Sequence, residues 1–209
     1  MHSILIVDDH PAIRLAVRSV MEGSGHYQVI GEADSGPAAL SLIRELQPAM
    51  IILDLDLPKM NGLELIERVK ATQPNVRVLV LSAQQEAIFA TRALHAGANG
   101  FLSKSEGMAS IVQAAQAVMS GYSVFPSTAL AGSSAGTGTS GAGLLQTLSG
   151  RELTVLQQLA RGMSNKEIGE ALLISNKTVS SYKTRLFEKL NISTLVELVD
   201  FARANHLVT

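Results

Sequence analysis

Five short, largely apolar runs recur along the first half of the chain: Ile4–Val7, Gln28–Glu32, Met50–Leu53, Val76–Leu81 and Gly100–Leu102. Each is followed by a segment whose apolar residues return every three to four positions, the period of a helix face. Pro11, suited to a first helical turn, precedes Ile13, Val17, Val20 and Met21. Pro37 opens a second such segment with Leu40, Ile43 and Leu46, and Gly62 precedes a third with Leu63, Ile66 and Val69. Ile88–Ala96 is a fourth, and Ser105–Met119 a fifth, with Ile111, Ala115 and Val118 on one face. Strands apolar along their whole length and separated by helices predict an α/β fold, a doubly wound five-stranded parallel sheet covered on both sides. Such sheets bind ligands in the crevice at the carboxyl ends of their strands.

The pattern stops at Ala131–Gly143, which reads AGSSAGTGTSGAG. Nothing there fills a core, and glycine makes ordering the backbone costly. The stretch is therefore expected to be a flexible linker with an r.m.s. span of roughly 20 Å. Beyond it no strand pattern returns. Four helices are expected, Gly150–Arg161, Asn165–Leu172, Lys177–Leu190 and Leu195–Asn205, with Ser164 and Ser175 as N-caps and Gly162 as a stop. The second part thus reads as a separate all-α, four-helix domain.

Composition narrows the function classes. Of 209 residues 46% are apolar and 17% charged, too much core for a disordered chain. Cysteine is absent, which removes disulfide scaffolds, thiolate metal sites and cysteine nucleophiles. The five histidines lack metal-ligand spacing and are assigned no role. Asp8-Asp9 interrupts the first apolar run too early for a signal peptide, and no run approaches a membrane span. A cytoplasmic protein with no membrane partner is expected. Residues 1–130 hold 9 Lys/Arg against 12 Asp/Glu, whereas residues 131–209 hold 8 against 6, so the two parts carry opposite net charge.

The chemistry-bearing residues of the first part fall where strands end. Asp8 and Asp9 follow the first run, Asp54 and Asp56 the third, Ser82 closes the fourth, and Lys104 follows the fifth. One aspartate after a strand is a common turn residue; this set at the ends of successive strands is not. Clustered carboxylates repel one another, and a hard divalent cation relieves this, Mg²⁺ being favoured by all-oxygen ligation. The inventory suits phosphoryl transfer to a carboxylate. Asp54 is the expected nucleophile, with Mg²⁺ and Lys104 offsetting charge on the transferred oxygens and Ser82 donating a hydrogen bond.

In the second part, Ile168, Leu172, Ile174 and Val179 are spaced for two helices packed across a tight turn. The following helix, KTVSSYKTRLFEKL, directs Val179, Leu186 and Leu190 inward. Its other side carries Lys177, Ser180, Ser181, Lys183, Thr184, Arg185 and Lys189, with Glu188 the one acid. Short hydroxyls reach base edges in a major groove while Lys and Arg neutralise phosphates. A solvated basic face on a structural helix is the plainer alternative.

ILIVDDH (4–10), IILDLDLPKMNG (51–62), VLVLS (78–82) and GFLSK (100–104) together resemble the receiver domain of bacterial response regulators, a flavodoxin-like fold, over residues 1–122. The resemblance implies Asp54 as phosphoacceptor, Asp8, Asp9 and Asp54 as Mg²⁺ carboxylates, and a backbone-carbonyl ligand from Asp56. It also implies Ser82 as the switch hydroxyl, Lys104 as phosphate contact and Phe101 as the aromatic switch. Asp56 and Gln84 stand where aspartyl-phosphate lifetime is tuned.

Leu148–Ile192 is similar to the helix-turn-helix DNA-binding domain of the LuxR/NarL/FixJ class, and SNKTVSSYKTRL especially to the BvgA/EvgA type. That likeness implies base contacts from Ser180, Ser181 and Thr184, phosphate contacts from Lys166, Lys177, Lys183, Arg185 and Lys189, and Thr178 and Val179 at the groove edge. Many members carry basic residues where Ser180 and Thr184 stand. The last helix commonly dimerises in this class, here through Leu195, Val196 and Val199. Implied partners are a sensor histidine kinase, double-stranded DNA at promoter inverted repeats, RNA polymerase, and a second copy on activation. The expected organisation is a receiver over 1–122, a connector over 123–147 and a DNA-binding domain over 148–209.

Two rival readings accompany this one. Asp54-Leu55-Asp56, then Ser82 and Lys104, also resembles the order of acid, hydroxyl and lysine in haloacid-dehalogenase-type phosphatases. There, however, the acid pair follows the first strand, and a helix-turn-helix has no evident use. The other rival is a DNA-binding regulator that never needs phosphate, against which the complete pocket argues.

Overall fold

The computed structural model describes residues 1–83, 86–127, 129, 141–205, 207 and 208. The chain divides into two compact units, 1–133 and 134–209.

The first unit is built on five parallel strands: β1 (His2–Val7), β2 (Tyr27–Ala33), β3 (Met50–Leu53), β4 (Arg77–Ser82) and β5 (Gly100–Ser103), in the order β2-β1-β3-β4-β5. The helices between and after them are α1 (Pro11–Gly23), α2 (Gly36–Leu46), α3 (Gly62–Thr72), α4 (Glu86–Ala96) and α5 (Met108–Met119). Side chains alternate across the sheet. Ile4, Ile6, Met50, Ile52, Leu79 and Leu81 share one core with Val17 and Met21 of α1 and Ile111, Ala115 and Val118 of α5. Leu5, Val7, Ile51, Leu53, Val78 and Val80 are equally buried and face the other way. There α2 closes in: a Cβ on Gly31 would lie 2.8 Å from Leu46 and 3.0 Å from Leu5. Each such side chain contributes roughly 1.5–3 kcal/mol by leaving water, which explains why near-continuous apolar runs form the interior.

Where sequence and structure differ, local hydrogen bonding decides. The fifth helix begins at Met108 rather than Ser105. Ser103 Oγ lies 2.7 Å from Ser105 Oγ, and the Glu106 N–H donates to the Ser103 carbonyl, so this stretch closes a turn instead of a helix. After α5, Val124 pairs with Gly100 in parallel fashion, carrying the sheet's hydrogen bonding beyond residue 122. The expected linker lies outside the described residues over 131–140. Its last three residues belong to a short helix, α6 (Gly141–Gln146), anchored by the fully buried Leu145.

The second unit continues with α7 (Gly150–Ala160), α8 (Asn165–Leu172), α9 (Asn176–Leu190) and α10 (Leu195–Ala204). With α6 this makes five helices among the described residues, not four. Ser149, Ser164 and Thr194 each form a capping box with the glutamate three residues on, and Ser175 caps α9 through the Thr178 N–H. Gly162, at φ +85°, follows α7 as the expected stop. Between α8 and α9 the turn is so tight that a Cβ on Gly169 would lie 2.8 Å from the Ile174 carbonyl oxygen. Leu153, Leu156, Ile168, Val179, Leu186, Leu198 and Ala202 form the interior. Among the described residues no helix is long and apolar enough to cross a membrane.

Candidate functional site

Parallel pairing itself assembles the acidic pocket. The Asp8 N–H donates to the Ala33 carbonyl and the Asp54 N–H to the Val7 carbonyl, so both aspartates stand side by side just past the strand ends. The Lys104 N–H, bonded to the Ser82 carbonyl, places that lysine at the same edge. Its Nζ then sits 2.6 Å from Asp54 Oδ2 and 2.7 Å from Asp8 Oδ2. Asp8 and Asp54 are 3% exposed, and Ser82 and Phe101 are also buried, Phe101 with its ring inside the unit. Asp56 is exposed; its backbone N–H donates to Asp54 Oδ1 at 3.3 Å. Gln84 lies outside the described residues.

Burial raises the Asp54 pKa above the ordinary value, and the neighbouring Asp8 charge adds to the rise, only partly offset by Lys104. Lys104 behaves oppositely. Burial disfavours its charge, but its hydrogen bonds to Asp54 and Asp8 outweigh this and hold its pKa above normal. Asp8, Asp9, Asp54 and His10 can each aim one ligand atom so that all lie within 4.8 Å of one another. Three carboxylates facing one ammonium leave net negative charge on an oxygen-rich donor set, which fits a hard divalent cation.

Residues that the sequence reading passed over complete the pocket. His10, given no role, has its ring Nδ1 2.6 Å from Asp9 Oδ1, and its backbone N–H donates to Asp8 Oδ1 at 2.8 Å. Arg14 Nη1 donates to the Asp8 carbonyl at 2.7 Å while Nε holds Glu32 at 3.1 Å, bracing the loop after β1. Gly62 allows α3 to start against the backbone of Asp54: a Cβ there would lie 2.7 Å from the Asp54 carbonyl oxygen. The first turn of α1 and the glycine that opens α3 were visible signals, but their targets lie on other elements.

In the second unit α8 and α9 cross through the Gly169 turn. Lys166, Lys177, Ser180, Ser181, Thr184 and Arg185 are exposed; Thr178 and Lys183 are half-buried, with Lys183 Nζ 5.6 Å above the Phe187 ring. One of the expected contacts needs correction. The Val179 side chain is fully buried in the unit's core and faces no groove. Lys189 is exposed, and its Nζ also lies 2.7 Å from Glu152 Oε2 and 3.2 Å from the Thr147 carbonyl. Glu152 is buried, so its carboxylate requires that partner. On α10, Leu198 and Ala202 are buried, whereas Leu195 is 42% and Val196 69% exposed and Val199 half-buried.

Comparison with known proteins finds a family for each of the two units. Residues 4–116 match the response regulator receiver domain, and residues 146–202 match the bacterial regulatory proteins of the luxR family. The chain is 49% identical over 207 residues to BvgA of Bordetella pertussis, covering 99% of both. It is 35% identical to the DNA-binding transcriptional activator EvgA of Escherichia coli, covering 97% of this chain and 98% of the other. RcsB from Salmonella enterica serovar Typhimurium, solved on promoter rprA in the presence of the phosphomimetic BeF3⁻, superposes with a TM-score of 0.71 at 28% identity, covering 96% of this chain and 97% of RcsB. The chain therefore belongs to the two-component response regulators of the NarL/FixJ type, a receiver joined to a LuxR-type helix-turn-helix DNA-binding unit.

Proposed function

We propose that this chain is a cytoplasmic, phosphorylation-activated regulator that accepts a phosphoryl group from a sensor histidine kinase and then binds promoter inverted repeats as a dimer, engaging RNA polymerase. The observation that carries this reading is Lys104 Nζ held between Asp54 and Asp8 at 2.6 and 2.7 Å in a buried pocket. An Asp54 carboxylate oxygen forms the new P–O bond as the P–N bond to the kinase imidazole breaks. Lys104 then transfers its hydrogen bond to a phosphoryl oxygen, and the Ser82 hydroxyl takes another. Mg²⁺, held by Asp8, Asp9 and Asp54 with the Asp56 carbonyl, would supply charge compensation on the transferred oxygens when bound. Inward-held Phe101 answers the movement of Ser82.

Binding DNA as a dimer matches two copies of α9 to two half-sites, and exposed Leu195 and Val196 with Val199 offer α10 as the contact. Phosphorylation shifts this equilibrium only as far as it favours the active arrangement over the inactive one. EvgA's description as an activator supports raised transcription as the output. The stretch between Val124 and α6 serves as connector between the receiver and the DNA-binding unit.

The test is molar mass by light scattering, with and without Mg²⁺ and beryllium fluoride, on wild type and Asp54→Asn. Dimer formation by wild type alone is expected. Equal behaviour of the two proteins would overturn Asp54 as the switch. Multiple turnovers of simple phosphate monoesters would replace the reading with a phosphatase.

A further inference from the structure

The three hydroxyls on the exposed face of α9 are already engaged as donors inside the unit. Ser180 Oγ donates to the Asn176 carbonyl at 3.1 Å, Ser181 Oγ to the Lys177 carbonyl at 3.1 Å, and Thr184 Oγ1 to the Ser180 carbonyl at 3.2 Å. A hydroxyl has one proton and two lone pairs. With each proton turned back onto the helix, the lone pairs are what these exposed groups present outward. Ser180 is held further: Asn165 Nδ2, from α8, donates to its Oγ at 3.1 Å. One lone pair of Ser180 is then left, and its proton cannot turn outward without losing the helix bond.

Base edges divide sharply by this polarity. In the major groove guanine offers only the acceptors N7 and O6, and thymine offers O4 and a methyl group. Adenine N6 and cytosine N4 are the donors. The side chains on the same face that donate, Lys177 and Arg185, have no acceptor with which to complement an amino group.

We propose that Ser180, Ser181 and Thr184 read DNA as hydrogen-bond acceptors, taking the exocyclic amino groups of adenine or cytosine, and that Asn165 is the positioning residue that sets the polarity of Ser180. The proposal rests on α9 being the groove-entering helix and specifies what that helix recognises. A cation at Ser180 or Thr184 would seek guanine; a hydroxyl held in acceptor orientation does not.

Every base pair carries one amino group in the major groove, so a preferred sequence alone does not decide the matter. Deletion of single atoms does. With full-length protein, Mg²⁺ and beryllium fluoride, a half-site is first selected from randomised duplexes. At each specified position adenine is then replaced by purine, cytosine by 2-pyrimidinone, and purines by their 7-deaza analogues. At the position where Ser180→Ala loses discrimination, removing the amino group is expected to weaken wild-type binding about tenfold and Ser180→Ala hardly at all, while the 7-deaza change is tolerated. Asn165→Ala is expected to lower discrimination at that position relative to the position read by Thr184, a ratio that general loosening of the unit would not alter. Loss of binding on 7-deaza substitution with the amino group dispensable would overturn the proposal, as would indifference to both changes at the Ser180 position. Failure to select any sequence would overturn the DNA-binding reading itself, and the proposal with it.

Discussion

The Val124 carbonyl accepts the backbone N–H of Phe101 at 2.7 Å, and the Val124 N–H donates to the Asn99 carbonyl at 3.1 Å. The first residues after α5 are therefore hydrogen-bonded to β5 beside Phe101, a residue only 2% exposed. Val124→Pro removes the donor that fixes this segment to Asn99. Hydrogen exchange at the Phe101 amide is expected to accelerate about tenfold, the equivalent of about 1.4 kcal/mol of local stability. An unchanged exchange rate would show that the pairing is dispensable.

Gly62 lies against the backbone of Asp54 and Leu55, with room for no Cβ: the added carbon would come within 2.6 Å of Leu55 Cα. Gly62→Ala is expected to displace the Asp54-Leu55 turn. Displacements on the order of 1 Å cost about 100-fold where reacting atoms must align. Phosphorylation by a small-molecule phosphodonor should slow by about that factor, measured by the rate of mass increase, in a protein destabilised by about 1–3 kcal/mol.

Asp54 is a site where function opposes stability. Because burial raises its folded pKa, the native state binds its proton more tightly than the unfolded chain does. Stability therefore falls as pH rises from the ordinary carboxylate value through the raised one, and remains reduced at neutral pH. Asp54→Asn should melt higher than wild type at neutral pH without Mg²⁺, by about 2–4 °C for each 1 kcal/mol recovered. Added Mg²⁺ should narrow the gap by stabilising only the wild type, and both shifts are read by thermal denaturation.

Lys189 and Lys183 share a helix but are expected to separate in a salt titration of DNA binding. Lys183→Ala should lower the slope of log affinity against log salt by about 1, as loss of one phosphate contact requires. Lys189→Met should leave the slope alone and instead destabilise the second unit by about 1–3 kcal/mol, since it strands the buried Glu152 carboxylate. The Glu152 pKa is lowered: burial pushes it up, but the hydrogen bonds from Lys189 and Ser149 prevail. That contribution is present above the ordinary value of 4.5 and is lost as pH falls through the depressed folded value. Wild type and Lys189→Met should thus converge in stability in acid.

Val196, at 69% exposure, contributes little to its own unit. Val196→Glu should change stability by no more than about 0.5 kcal/mol. If α10 is the contact, it should nevertheless abolish the dimer seen by light scattering with beryllium fluoride.

The sheet was legible because parallel strands buried on both faces leave long apolar runs, and β3 coincides with Met50–Leu53 residue for residue. The acids were legible because they follow those runs directly. Errors arose where one side chain served two descriptions. Val179 lies on the recognition helix and in its core stripe, and burial decided for the core. The pairing of Lys189 with Glu152, 37 residues away in the chain, comes from packing alone. Ser105 suited a helix start, but Ser103, two residues away, closed a turn with it instead.

Local pattern thus determined the element types and the placing of acids at strand ends, because periodicity and strand-end composition are properties of neighbours in sequence. Only the tertiary structure decided that Lys104 bridges Asp54 and Asp8, that Arg14 braces the Asp8 carbonyl, and that Asn165 holds Ser180. Those relations depend on which atoms packing brings within hydrogen-bond reach, and no sequence spacing encodes the direction in which a side chain finds its partner.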